Sequence, residues 1–171
     1  GKVLYVAHHS REEYGADTVS VIDTATNQVT DTVSIYSWPT HVAVAPNGSN
    51  VYVAMQFSDD SVAVIDARTN EVIDTIRVHG RPRGLAVTPD SRHLYVSIED
   101  QNIEGHVSVV DTSTNKVTGY IRVAVYPQGI AITSDGRKAY LAQGIHNSLA
   151  VIDTSTNRVT AKFKLRTSCN D

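Results

Sequence analysis

Val21-Ile22-Asp23-Thr24-Ala25-Thr26-Asn27 returns as Val64-Ile65-Asp66-Ala67-Arg68-Thr69-Asn70, as Val109-Val110-Asp111-Thr112-Ser113-Thr114-Asn115 and as Val151-Ile152-Asp153-Thr154-Ser155-Thr156-Asn157, the aspartates 43, 45 and 42 residues apart. A fixed period of this length marks stacked repeats, each one supersecondary unit. A second marker, Pro39-Thr40-His41-Val42-Ala43-Val44-Ala45-Pro46, is echoed from Pro82 to Pro89 and from Pro127 to Ser134, and all five prolines lie in it. The third is a strand core with tyrosine second: Leu4-Tyr5-Val6, Val51-Tyr52-Val53, Leu94-Tyr95-Val96 and Ala139-Tyr140-Leu141. Three markers keep one order at one period.

Each period reads as four short strands. In the copy that begins at Pro82 they are Gly84 to Val87, Leu94 to Ser97, Ser108 to Val110 and Val117 to Val123, parted by the turn residues Pro89-Asp90-Ser91 and Asp111 to Asn115. No window carries helical i, i+3, i+4 spacing over the length a helix needs, so the chain is all-β. Four strands in about 43 residues is the size of one β-propeller blade, a four-stranded antiparallel sheet packed face to face with its neighbours around an axis. Large and small residues alternate in strand one (Val42-Ala43-Val44, Leu85-Ala86-Val87, Ile130-Ala131-Ile132), which suits the crowded strand nearest that axis. The expected organisation is a single array: a partial blade over 1–38, then blades over 39–81, 82–126 and 127–171. Three strands and then twelve make about four blades, a partial ring or half of a dimeric one.

Composition sets the outer limits. With 171 residues, 41% apolar, 19% charged and a formal net charge of −3, the chain is one globular domain rather than a disordered tail. No run approaches the roughly 18 apolar residues of a membrane helix, and Gly1-Lys2-Val3-Leu4 enters a strand pattern with no signal-peptide layout ahead of it. Fifteen basic against 18 acidic residues give no excess for nonspecific phosphate binding, so nucleic acid is not the expected partner. The single cysteine, Cys169, excludes an internal disulfide and a Cys-rich zinc site.

The Val-Ile-Asp-Thr-x-Thr-Asn turn, the Pro-x-Gly-Ile-Ala-x-Thr-x-Asp-Gly marker and the Tyr-Val pair resemble the YVTN (YncE-like) β-propeller repeat, over almost the whole chain. The resemblance implies rings of about seven blades, of which this chain supplies a little over half. It implies surface-layer, adhesion or binding-platform roles outside the cytoplasm and, in more distant relatives, lactonases, lyases and single-stranded DNA binders. The open blade edges invite pairing, and a homodimer completing the ring is one expected arrangement.

In a propeller the connections from strand four to the next strand one, and from strand two to strand three, gather on one face around the axis, where function usually resides. Here the copies differ most in those connections: Tyr36 to His41, His79 to Arg83 and Ala124 to Gln128, with His8 to Tyr14, Met55 to Asp60, Glu99 to Glu104 and Gln143 to Asn147. Trp38, His41, Arg81, Arg83, Tyr126 and Gln128 are the candidate ligand-binding residues. Their aromatic faces and guanidinium forks suit a protein, peptide or glycan partner. The competing reading packs Trp38 and Tyr126 on the prolines and leaves the arginines as solvated rim charge.

No cofactor or metal is expected. His8 and His9 with His41, His79 or His146 have the ligand chemistry for zinc or copper, but neighbours on a strand point to opposite faces. Asp59-Asp60 and Glu99-Asp100 lack calcium-loop spacing and read as loop charge. The repeated Asp23, Asp66, Asp111 and Asp153 read as turn formers that accept backbone N–H groups, and the four tyrosines as packing between blades. No nucleophile elbow, zinc helix motif or phosphate loop is present, so a noncatalytic binding module is the leading expectation. An enzyme would need an axial group, for which His41 and Arg83 are nearest.

Overall fold

A computed structural model of the chain describes residues 2–9, 17–35, 37–56, 60–100, 105–124, 126–144 and 147–165. The first sheet holds β1 (Val3–His8), β2 (Thr18–Asp23) and β3 (Gln28–Ser34). The second holds β4 (Pro39–Val44), β5 (Asn50–Met55), β6 (Ser61–Asp66) and β7 (Glu71–Arg77), and the third β8 (Arg81–Val87), β9 (His93–Glu99), β10 (Gly105–Asp111) and β11 (Lys116–Val123). The fourth holds β12 (Pro127–Ile132), β13 (Lys138–Gln143), β14 (Ser148–Asp153) and β15 (Arg158–Lys164). Every sheet is an antiparallel meander in chain order, the first of three strands and the others of four. The described residues contain no helix, and the four sheets do not close into a ring.

Strand one of each blade runs further than the sequence suggests. Arg81, Pro82 and Arg83, expected in a connecting loop, belong to β8; Pro39 to His41 belong to β4, and Pro127 and Gln128 to β12. The reason is a bulge directly after each proline: Pro82 pairs with Ile98, Arg83 is skipped, and Gly84 pairs with Ser97. A missing N–H is tolerated where the ladder is already irregular.

The third-to-fourth strand turns are held by the repeated aspartates. Asp23 Oδ1 accepts the N–H groups of Ala25 and Thr26 at 2.8 and 2.9 Å. Asp66 accepts those of Arg68 and Thr69, Asp111 those of Ser113 and Thr114, and Asp153 those of Ser155 and Thr156. Each turn closes on an asparagine in the left-handed region: Asn27, Asn70, Asn115 and Asn157 have φ between 54° and 58°. Asparagine accepts that conformation better than other side chains.

At Asp23, Asp111 and Asp153 these bonds favour the ionised carboxylate. The Thr26 and Ala25 N–H groups lower the pKa of Asp23, while the Ser113 and Ser155 hydroxyls lead the same effect at Asp111 and Asp153. A depressed native pKa contributes stability above the unfolded value, about 3.9, that is lost as pH falls through the native one. Thermal melts are therefore expected to fall most steeply below about pH 4. An Asp23→Asn, Asp111→Asn, Asp153→Asn chain should show a shallower acid limb.

Between sheets lie three apolar layers, one per junction. Tyr5, Val19, Val21, Val33 and Ile35 pack on Val51, Val53, Met55, Ala63 and Ile65. Tyr52, Val62, Val64 and Ile76 pack on Leu94, Val96, Ile98 and Val110, and Tyr95, Val107, Val109 and Ile121 on Ala139, Leu141, Ala150 and Ile152. Each sheet thus has a forward face carrying its tyrosine and a rear face carrying the residues on either side of it, the period-2 alternation of a strand. At the innermost strands, Leu85 and Ile130 face rearward while Ala43 and Ala86 face forward, letting backbones approach.

At the first and third junctions the tyrosine hydroxyl finds its partner in the next blade. Tyr5 donates to Asn70 Oδ1 at 3.2 Å, and Tyr95 to Asn157 Oδ1 at 2.6 Å. Tyr52, fully buried, hydrogen-bonds Asn50 within its own blade, and Asn115 Oδ1 is left without a partner. Tyr140, on the forward face of the last sheet, is 37% exposed.

Candidate functional site

The six candidate residues lie at one end of three successive blades. Trp38, Arg81 and Tyr126 occupy the same step of the repeat, the residue before the proline, and Arg83 and Gln128 share the bulge position with Thr40. His41 stands where the other copies have Gly84 and Gly129. The chain reaches this end at the finish of every fourth strand and the start of every first one, so the repeat itself places these side chains side by side around the inner strands.

Their surroundings separate them. Trp38 is 44% exposed and stacks at a tilt on His9, ring centroids 4.5 Å apart, while His9 Nδ1 hydrogen-bonds Asp17 Oδ1 at 3.0 Å. Tyr126, with φ 54°, is 43% exposed. Its carbonyl accepts the Gly144 N–H at 3.1 Å, pinning the connection while the ring stays out. Arg83 is not a free guanidinium: its Nε and Nη2 both engage Glu99 Oε2. Arg81 faces Asp60, whose carboxyl is raised by burial and pulled back by the Arg81 charge. His41 is exposed.

The Gln128 carbonyl accepts the Ser97 hydroxyl at 2.5 Å, and the Pro82 carbonyl accepts Gln56 Nε2 at 2.7 Å. These cross-blade bonds tie the second strand of one blade, or the residue after it, to the first strand of the next at the candidate site. Trp38 and Arg83 therefore belong to two separate groups, one built with His9 and one with Glu99. The six positions recur at one end of successive blades, Trp38 beside His9 and Arg83 beside Glu99.

Glu99, expected as loop charge, and His9, expected in a connecting loop, prove to be the direct neighbours of Arg83 and Trp38. The β8–β9 hairpin sets Arg81 directly opposite Glu99, and Gln143, the first residue of the variable connection to Asn147, pairs with Pro127. Gln143 and Ser148 line a cavity of about 290 Å³ with Ala124, Lys162, Phe163 and Lys164. Gln143 is 2% exposed; its Oε1 accepts the Ser148 hydroxyl and its Nε2 has no partner. His106, half-buried at the second junction with its ring edge-on to Tyr120, is held towards the neutral form chiefly by desolvation.

The opposite end of the blades carries the turns between first and second strands and between third and fourth strands. A cavity of about 320 Å³ there is lined by Asp90, Tyr95 and Asp135 among others. Asp90 and Asp135 are lowered, first by the hydroxyls of Thr88 and Thr133, which bond them within their own turns. Burial, with the nearby Asp153 and Asp90 charges, pushes Tyr95 up to about 12.

Among the described residues no group of three or more His, Cys, Asp or Glu is placed to hold a metal ion, and no helix is long and apolar enough to cross a membrane. His146, Asp59, Tyr36 and Cys169 lie outside the described residues.

Antiparallel sheets, one of three strands and three of four, stacked face to face with their variable connections at one end, define this molecule as an array of β-propeller blades. A family model described as YNCE-like beta-propeller matches residues 12–104, more than half of the chain, and the chain belongs to that family. Among solved structures, one titled Kuenenia stuttgartiensis Hydrazine Synthase is similar at 35% identity with a TM-score of 0.68, over 74% of this chain. The chain spans 36% of that one. Comparison with curated proteins gives no match.

Proposed function

We propose that this chain is a noncatalytic binding module whose variable end grips a protein, peptide or glycan partner. The observation that carries this is the pair Trp38 and Tyr126: equivalent positions of two repeats, both bearing large aromatics, 44% and 43% exposed. A residue present only to pack its proline would be covered. Amphipathic aromatics left open beside an arginine are instead the usual anchors of recognition surfaces. Arg81 occupies the same step in the blade between them. Arg83, already paired with Glu99, orients the β8–β9 hairpin rather than reaching a ligand.

The test is binding of the purified chain to peptide and glycan arrays, with single-stranded DNA as a third probe, followed by titration of any hit. Trp38→Ala and Tyr126→Ala should each weaken the hit at least about tenfold, as central aromatic anchors do, while Arg83→Ala acts mainly through stability. A hit indifferent to Trp38, Tyr126 and Arg81 substitutions refutes the reading, as does the absence of any hit.

A further inference from the structure

We propose that the cavity between the third and fourth blades binds a small organic carboxylate, its head held by the Gln143 carboxamide and by the Lys162 and Lys164 ammonium groups. The site lies at the variable end of the blades but uses neither Trp38 nor Tyr126, so it stands apart from the aromatic-anchor reading.

The second strand supplies the buried donor. Gln143 is the last residue of β13 and pairs with Pro127 on one side and Ser148 on the other. In the two preceding blades the same step, three residues after the tyrosine, is held by Met55 and Ile98, 8% and 0% exposed within the apolar layers. Gln143 is covered as deeply, at 2%, yet carries a carboxamide in this packing slot. The Ser148 hydroxyl donates to its Oε1 at 3.1 Å, while Nε2, with two N–H groups, has no partner. An unmade buried hydrogen bond costs stability. The fold accepts methionine or isoleucine at this step, so the carboxamide is not there to fill space.

The fourth strand supplies the charge. Lys164 pairs with Ser148 and Lys162 with Ala150, and residues directly opposite in an antiparallel ladder share a face. Ala150 belongs to the layer packed on the third sheet, so the face bearing both lysines, Ser148 and Gln143 is the one turned towards blade three. That face lies inside the stack. Ala124, just past β11, lines the same cavity from the third blade. The positions of Lys162 and Lys164 are Thr32 and Ser34 in the first blade and Thr75 and Arg77 in the second. Among the described residues no carboxylate pairs with either lysine.

These donors, with no acidic residue in the lining, select an anion. The remaining lining residues, Ala124 and Phe163, are apolar and favour an anion with carbon behind its head. At about 290 Å³ the cavity is at the small end of ligand pockets, which start near roughly 300 Å³. A short-chain carboxylic acid meets all three conditions.

Titration of the ¹⁵N-labelled chain with butyrate tests this, followed at the side-chain NH₂ resonances of Gln143. They should move and saturate. Butyrate should bind about tenfold tighter than acetate, for two more buried methylenes, and butyramide at least about tenfold weaker than butyrate, since it lacks the charge. Gln143→Met, which places the second blade's residue in the slot and so keeps the fold, should weaken butyrate at least about tenfold. Lys162→Thr with Lys164→Ser, the first blade's pair, should weaken it about fivefold at low salt and less at high salt. Trp38→Ala should change nothing. The proposal is overturned if the Gln143 resonances do not respond, or if butyramide binds as well as butyrate. It is also overturned if inorganic phosphate matches butyrate and ignores Gln143→Met, which would mean lysine charge alone, or if Trp38→Ala weakens butyrate as much as Gln143→Met does.

Discussion

Gly84→Ala is expected to destabilise the chain by about 1–3 kcal/mol, while Gly129→Ala, the same change at the same step of the next repeat, should be nearly silent. A Cβ on Gly84 would sit 2.7 Å from the Gln128 carbonyl oxygen and 3.1 Å from both Gly129 Cα and Ile130 N. All three are backbone atoms of β12, so the only relief is to push the inner strands apart. A Cβ on Gly129 would have nothing within 4 Å, so the added methyl meets open space. The displacement caused at Gly84 would also stretch the Ser97 to Gln128 bond, so the same substitution should disturb any ligand contact made by Gln128. Urea denaturation of the two variants against wild type measures the difference. Equal midpoints for the two would show that the inner strands are not in tight contact at the axis.

The contrast between those two glycines shows where sequence reasoning reached its limit. Strands, turns and stacking were legible because each is written several times over: the aspartate that accepts two N–H groups, the left-handed asparagine and the buried tyrosine recur at one period, and three-dimensional packing repeats with them. Gly84 and Gly129 look alike in sequence and differ only because one has a blade in front of it. The same holds for Tyr95 and Tyr140, identical in motif yet 1% and 37% exposed. At the candidate site the repeat is silent by construction, since the residues of interest are those that do not repeat. Proline read as a strand boundary there hid the bulge that carries Arg83 within β8. The ion pair with Glu99 followed from that strand's register, which the motif alone does not reveal. Trp38 and Tyr126 were legible as variable aromatics before proline, but only their exposure separates an anchor from a packing residue.

Tyr95→Ala should be the most damaging single substitution, costing about 3–5 kcal/mol, in the range for a buried large aromatic cut back to alanine. Tyr95 is 1% exposed within the third junction and its hydroxyl spans to the fourth sheet. Tyr95→Phe keeps the ring and should cost only about 1 kcal/mol, because exposed Asn157 can bond water instead. The larger variant also tests how the stack holds together. In a linear array each blade is stabilised by its neighbours, so weakening one junction should release the part beyond it before the rest. The chain has a single tryptophan, Trp38, at the start of the second sheet. Its fluorescence therefore reports on the first two blades, while circular dichroism reports on all four. In urea, Tyr95→Ala should lose part of its circular dichroism signal at a lower concentration than its Trp38 signal. Coincident transitions would mean that the blades unfold as one unit, with cooperativity carried by more than the nearest-neighbour layers.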